Sequence, residues 1–349
     1  MRAVYLSAPQ TIQLIDRPAL QPKAGEVVVR IVAAGICATD LSLIEGDNSI
    51  GIFPMIPGHE CVGRVELVGP GVALEPGTWV TVYPSLGCGQ CCACQEGRIN
   101  HCPTFLVQGI DCGAGSFAEQ MLVQAQQVLR VPEPLQHAGG ALIEPVAVAV
   151  HVNRRGQTGP GSRVAVIGAG VIGLLTAQVA RAQGAARVAL LDRWEQRRAV
   201  CASLGFEEFL CRTEDAALAS LAADWGADFD VAFDTVCSTA TIQAGLSLLS
   251  PGGTLVLVAT PRAGTAFAVD FPLLYRRELS LVVSRNYRPQ DFLDAMVLIE
   301  RSQVVLDPLI TGHFPLEAFG QAVEALRRCP EQHLKILIHP PTPSPKGLS

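Results

Sequence analysis

The chain is poor in charge and has no surplus of the basic sign. Charged residues make up 17%, and 26 Lys and Arg stand against 32 Asp and Glu, a net charge of −6. No basic stripe is visible, which excludes the electrostatic footprint of a nucleic-acid binder. An apolar leader is lacking too: the start, Met1 to Val4 and on to Asp16-Arg17-Pro18, holds no hydrophobic segment of the kind that directs secretion. The uncharged run Val164 to Ala180 is just short of a membrane span and is interrupted by Gly168, Gly170 and Gly173. No internal repeat or low-complexity segment stands out. Low charge combined with 49% hydrophobic residues excludes a disordered chain. The mean hydropathy of +0.32 suits a large two-sided parallel sheet, whose strands are apolar throughout. The expectation is a soluble, cytoplasmic protein with neither membrane nor nucleic acid as partner. Its 349 residues suggest two or three domains, at roughly 100–200 residues each.

Helical signal is scarce at first. From Val4 to about Val131 the pattern is short β-rich runs, such as Val27–Val32, Val62–Val68 and Trp79–Val82, divided by Pro and Gly turns. Gln136 to Asn153 reads as helical. After Gly159-Pro160-Gly161 the rhythm alternates. Strands are expected at Arg163–Ile167, Arg187–Leu191, Asp230–Phe233 and Thr254–Val258. Helices are expected at Val171–Gln183, Glu195–Leu204, Thr239–Leu249 and Pro289–Ser302. That alternation predicts an α/β protein with a doubly wound parallel sheet. The Pro-rich end, from His339, reads as a disordered tail.

Gly168-Ala169-Gly170-Val171-Ile172-Gly173 is G-x-G-x-x-G, placed after an expected strand and at the start of an expected helix. In that context the first glycine permits the tight turn and the second lets backbone approach a pyrophosphate. The third lets the helix pack on the strand, with its N-terminal amides facing the phosphates. Asp192 follows at about the twenty-residue distance of an acid that accepts from ribose hydroxyls. Its charge disfavours a 2′-phosphate and so favours NAD over NADP, although Arg193 beside it could accommodate that phosphate.

Cysteine is not scarce. Twelve are present, and Cys88, Cys91, Cys92, Cys94 and Cys102 crowd one short stretch. In a reducing compartment such a cluster reads as metal ligands rather than disulfides. Cys88-x2-Cys91-x2-Cys94-x7-Cys102 offers four thiolates for a closed, structural Zn²⁺ site, with Cys92 as an alternative ligand. An iron–sulfur cluster is the rival, opposed by the long final gap. A second constellation, Cys37-Ala38-Thr39-Asp40 and Gly58-His59-Glu60-Cys61-Val62-Gly63, could hold a catalytic Zn²⁺. Cys37 and His59 would be joined by a carboxylate from Glu60 or from Glu144 in Glu144-Pro145.

Taken in this order, these motifs resemble the zinc-dependent medium-chain alcohol dehydrogenase family, over Met1 to about Pro340. The resemblance implies a GroES-like β catalytic domain (1–152 and 288–340, with a structural-zinc lobe at about 84–104). It also implies a Rossmann domain binding NAD (153–287), a tail at 341–349 and two zinc ions per chain. Cys37 and His59 resemble catalytic-zinc ligands. Glu144 takes the place of a second cysteine, as in the sorbitol dehydrogenase branch, and conserves the ligand charge. Glu60 resembles a mobile glutamate that exchanges with zinc-bound water. Thr39 matches a proton-relay hydroxyl, Asp40 an acid that orients the histidine, and Arg197 a cofactor-side arginine.

The chemistry so implied is oxidation of an alcohol, with zinc acidifying the hydroxyl and hydride passing to the nicotinamide. Ser284-Arg285-Asn286-Tyr287 resembles a stretch of bacterial L-galactonate oxidoreductases, and an Arg285 fork suits a carboxylate. The expected substrate is a polyol or a sugar acid. L-Threonine 3-dehydrogenase is the rival among enzymes; a structural or sensing protein of the same fold is the rival outside them. A homodimer or homotetramer is implied, paired through the Rossmann sheet edge.

Overall fold

A computed structural model describes residues 1–46, 51–212, 218, 221–260 and 264–341. The expected tail from His339 is corrected at its start, since His339 ends a strand, Lys335–His339, and residues 342–349 lie outside the described residues. The chain forms two compact units, Met1–Glu144 with Ile310–Ser349, and Pro145–Leu309.

The first unit opens with an antiparallel pair, β1 (Arg2–Ala8) and β2 (Thr11–Asp16). Its main strands are β3 (Glu26–Gly35), β4 (Glu60–Val68) and β5 (Trp79–Val82). After them come β6 (Ser85–Leu86), β7 (Leu106–Val107), β8 (Gln120–Gln124) and β9 (Val128–Arg130). The second unit contributes β10 (Arg163–Ile167), β11 (Arg187–Asp192) and β12 (Phe209–Cys211). Its sheet also takes β13 (Phe229–Asp234), β14 (Leu249–Leu257) and β15 (Ser280–Val283). The chain then returns to the first unit with β16 (Ile310–Pro315) and β17 (Lys335–His339).

β3 is the spine of the first unit. Its run Glu-Val-Val-Val-Arg-Ile-Val-Ala-Ala-Gly is buried on both faces, which is why it does not alternate. It pairs antiparallel with β4, β8 and β17. The full order is β16-β17-β3-β4-β5-β9, with β8 paired to β3. Val27, Val29, Ile31, Val65, Val80 and Ile336 build the core beneath it. The second unit is a parallel sheet of order β12-β11-β10-β13-β14-β15. Its direction of winding reverses beside β10, the switch point where open α/β sheets bind ligands at the carboxyl ends of their strands.

The expected strands Trp79–Val82 and Arg163–Ile167 match at both ends. The expected helix 136–153 is divided instead. A 3-10 turn covers Ala138–Leu142, and an α-helix, Ile143–Gly156, follows with Pro145 tolerated in its first turn. Glu144 thereby occupies the N-terminal turn of that helix.

The division between units falls at 144/145 and 309/310, where the sequence reading placed it at 152/153 and 287/288. The reason is a buried anchor. Asp291 caps the Pro289–Glu300 helix by accepting from the Arg288 backbone N–H at 2.8 Å. Its carboxylate also lies 2.7 Å from His151 Nδ1 and accepts from Arg154 Nε at 2.8 Å. Both helices therefore stay with the second unit. Burial alone would raise the Asp291 carboxyl, but these hydrogen bonds and the charge of His151 hold it below the usual range. A depressed carboxylate stabilises above its unfolded value of about 3.9, and that contribution fades as pH falls through the folded value. Asp291→Ala is expected to cost about 3–5 kcal/mol, because it breaks a buried charge pair with His151 and removes the cap of the Pro289–Glu300 helix. Urea melts should show the wild-type advantage at pH 7 shrinking below about pH 4; an advantage independent of pH would contradict the assignment.

Candidate metal and nucleotide sites

Four thiols gather in the first unit. The Sγ atoms of Cys88, Cys91, Cys94 and Cys102 lie within 4.8 Å of one another. Backbone N–H groups point at two of the sulfurs: the Cys88 N–H donates to Cys102 Sγ and the Cys91 N–H to Cys88 Sγ, each at 3.3 Å. The Thr104 side chain and the Cys88 N–H pull the Cys102 thiol down to about 6, while desolvation pushes Cys94 up to about 12. Gly87 leaves space for the cluster, since a Cβ there would stand 2.7 Å from Cys94 Sγ. Cys92 is turned away, its thiol donating to Glu96 Oε1 at 2.9 Å. The four-cysteine set fits a closed tetrahedral metal, and Cys92 is outside it.

A second group forms where β3 runs out. Cys37, His59 and Glu60 bring one ligand atom each to within 4.8 Å of one another. Cys37 precedes the short helix Ala38–Glu45, whose first turn carries Thr39 and Asp40. Asp40 is fully buried, and its Oδ2 accepts from the Cys37 N–H at 2.8 Å. Its Oδ1 stands 3.7 Å from His59 Nδ1, the relation by which a carboxylate orients a ligating imidazole. Desolvation pushes the Asp40 carboxyl up to about 6, moderated by His59. Burial opposes a proton on His59, but Asp40, Cys37 and Glu144 together raise it well above its ordinary value. A thiol, an imidazole and a carboxylate within 4.8 Å of one another are the S, N and O donors that zinc takes, so the donor set fits zinc. Glu144 is 6% exposed, and its charge reaches His59, Cys61 and Lys335.

The glycine loop lies at the carboxyl end of β10. Gly168 adopts φ +99, where a side chain would be strained, and a Cβ would strike the Thr235 hydroxyl. A Cβ on Gly173 would collide with the Gly168 carbonyl, whereas Gly170 faces open space. Val171 and Ile172 begin the Val171–Ala182 helix. The N-terminal amides are therefore approachable, as a pyrophosphate requires. Asp192 ends β11 and clamps this turn, accepting from the Ala169 N–H at 2.7 Å and the Trp194 N–H at 3.0 Å. Arg197 is buried, its guanidinium 5.4 Å from the Trp194 ring centroid. Arg285 is exposed just beyond β15, and Asn286 takes a left-handed φ of +55. Tyr287, fully buried against Phe292 at 5.5 Å, anchors that stretch.

Residues 23–133 match the alcohol dehydrogenase GroES-like domain family, and residues 171–301 the zinc-binding dehydrogenase family. A 2-dehydro-3-deoxy-L-galactonate 5-dehydrogenase of Pseudoalteromonas atlantica is 32% identical over 345 residues, 97% of this chain and 98% of the relative. The chain belongs to the zinc-dependent medium-chain alcohol dehydrogenases. A sorbitol dehydrogenase of Bacillus subtilis is 28% identical over 348 residues, 97% of each chain. An Escherichia coli alcohol dehydrogenase solved with NADH superposes with a TM-score of 0.90 at 27% identity, covering 97% of this chain and 99% of that one.

This dehydrogenase carries one site residue that motif reading passed over. Lys335, at the start of β17, is 3% exposed and donates from Nζ to both Glu60 oxygens, at 2.8 and 2.6 Å, and to the Ile36 carbonyl at 3.0 Å. Burial would depress the lysine, but Glu60 raises it. The signal was a single basic residue opening the otherwise apolar run Lys-Ile-Leu-Ile.

Proposed function

We propose that the protein oxidises a secondary alcohol of a polyol or sugar acid, with NAD as hydride acceptor. The observation that carries this is the Cys37–His59–Glu60 group, with His59 and Glu60 buried, in the GroES-like half of a chain whose other half presents an open glycine loop. Cys37, His59 and Glu144 would hold a zinc ion, and that ion supplies a Lewis acid that lowers the pKa of a substrate hydroxyl. NAD, held at Gly168, Gly170, Val171, Ile172 and Gly173 with Asp192 on its ribose, supplies the acceptor. Asp40 holds the His59 ring in place, and Thr39, half-buried beside it in the same helical turn, passes the alcohol proton outward.

The sugar-acid and polyol relatives support this substrate class over L-threonine, and the filled ligand positions support an enzyme over a sensing protein. Arg285 and Asn286 would face substrate, the guanidinium taking a carboxylate in a fork. The test is NADH formation from L-galactonate, other aldonates, sorbitol, galactitol and L-threonine. We expect an aldonate to be preferred, and Arg285→Ala to raise its KM by about tenfold or more, the worth of a hydrogen bond to a charged group. Preference for neutral polyols would remove Arg285 from the substrate, and preference for L-threonine would replace the reading.

We further infer self-association through the edge strand β15, where Val283 is 62% exposed and the preceding helix exposes Phe271 and Tyr275. Sedimentation mass reads this directly. No helix among the described residues is long and apolar enough to cross a membrane. All twelve cysteines are unpaired, which supports a cytoplasmic location.

A further inference from the structure

We propose that Arg193 makes the adenosine end of the nucleotide site accept a 2′-phosphate, so that the enzyme takes NADP as well as NAD. This rests on the nucleotide-binding reading above and deepens it. The residues concerned all lie in the Pro145–Leu309 unit. An acid that ends the second strand of such a sheet takes the ribose hydroxyls, and an arginine nearby accommodates a 2′-phosphate instead. Asp192 is that acid, but it is only 8% exposed and already engaged. Its Oδ2 accepts from the Ala169 N–H and its Oδ1 from the Trp194 N–H, which leaves each oxygen spare capacity for a hydroxyl.

Arg193 is the next residue, and its side chain is exposed. The other arginines around this turn are engaged. Arg198 pairs with Glu195 and Arg212 with Asp224, while Arg197 is buried beside the Trp194 ring. Among the described residues no carboxylate pairs with Arg193. Its backbone, by contrast, is fixed. The Asp192 carbonyl accepts from the Arg212 N–H at 2.9 Å, and the Arg193 carbonyl from the Cys211 thiol at 3.5 Å. A guanidinium with no acid of its own thus stands on a braced turn beside the ribose acid. Asp192 alone would repel a phosphate, and Arg193 alone would select one. Side by side their charges cancel, and the guanidinium adds a fork of donors that matches phosphate oxygens. A 2′-hydroxyl keeps Asp192 as its acceptor. Both cofactors are therefore held with similar affinity.

The test is calorimetric titration of the full-length protein with ADP-ribose and with 2′-phospho-ADP-ribose, which carry the adenosine end and no nicotinamide. For the wild type the two Kd values should agree within about tenfold. Arg193→Ala should weaken the 2′-phosphorylated ligand by about 10–100-fold, the worth of a hydrogen bond to a charged group, and ADP-ribose by less than about twofold. The exposed side chain has no partner to lose, so the variant keeps its fold. The ratio of kcat/KM with NADP to that with NAD should fall by the same factor as the binding ratio. A wild-type preference for ADP-ribose beyond about tenfold would overturn the proposal alone. So would an Arg193→Ala protein with the wild-type binding ratio. Wild-type protein that binds neither ligand would remove the nucleotide reading and this proposal with it.

Discussion

Glu144→Ala is expected to lose one of two zinc ions per chain and to lower kcat by about 10³-fold. The helix that starts at Ile143 carries this carboxylate into the buried acidic group around His59, where its charge reaches the imidazole. On the proposed ligand set of Cys37, His59 and Glu144, removing it leaves two of the three ligands a catalytic zinc requires, while Glu60 is hydrogen-bonded to Lys335. Lewis-acid stabilisation is worth several kcal/mol, and about 1.4 kcal/mol is a factor of ten in rate. Zinc per chain by elemental analysis, measured with kcat on the same preparation, checks it. If the variant keeps two ions and full activity, the third ligand is Glu60 and the assignment of Glu144 fails.

The second large effect is expected at the lobe of four cysteines. Its regular structure is one four-residue helix, Cys92–Gln95, one 3-10 turn and the two-residue strands β6 and β7. Elements this short do not persist without a cross-link. A zinc held by the four thiolates would be that cross-link, its binding free energy then being folding free energy. Cys94→Ala should leave one ion per chain and cost about 3–5 kcal/mol, comparable to losing a structural disulfide. For a unit of this size that lowers Tm by about 10 °C. Cys92→Ala should keep both ions and the wild-type Tm, because its thiol points at Glu96. Equal zinc loss in the two variants would show that the fifth cysteine shares the site.

Much of this architecture was legible because its signals are local. The glycine loop sits between an apolar strand and a helix, and four cysteines lie within fifteen residues. Strands such as Arg163–Ile167 are runs of apolar residues bounded by Gly or Pro, so their ends could be placed. Long-range features were not legible from residues alone. Glu144 brings its charge to His59 only because a turn after Leu142 starts the Ile143–Gly156 helix there; spacing could not choose between it and Glu60, and it is Glu60 that the structure gathers within 4.8 Å of Cys37 and His59. β16 alternates between half-buried and exposed positions and carries little hydrophobic signal of its own. It is recruited as the edge of a sheet whose spine lies at the other end of the sequence. Asp291 reads as an ordinary helix-start acid; only the fold shows that the same carboxylate meets His151, 140 positions earlier. That bond explains why the 288–309 segment groups with the nucleotide-binding half.

The return of β17 to β3 has a consequence for the order of synthesis. Lys335 lies 275 positions after Glu60, and the whole of the second unit is translated between them. Chains fold as they emerge, earlier parts first. The Pro145–Leu309 unit can therefore finish on the ribosome while β3 still lacks a neighbour and Glu60 its counter-ion. The first half of the protein is completed last, by a strand of five residues. A nascent chain stalled between Leu309 and Lys335 would hold a finished second unit and a first unit whose Glu60 still lacks its lysine, a species for chaperones rather than for catalysis.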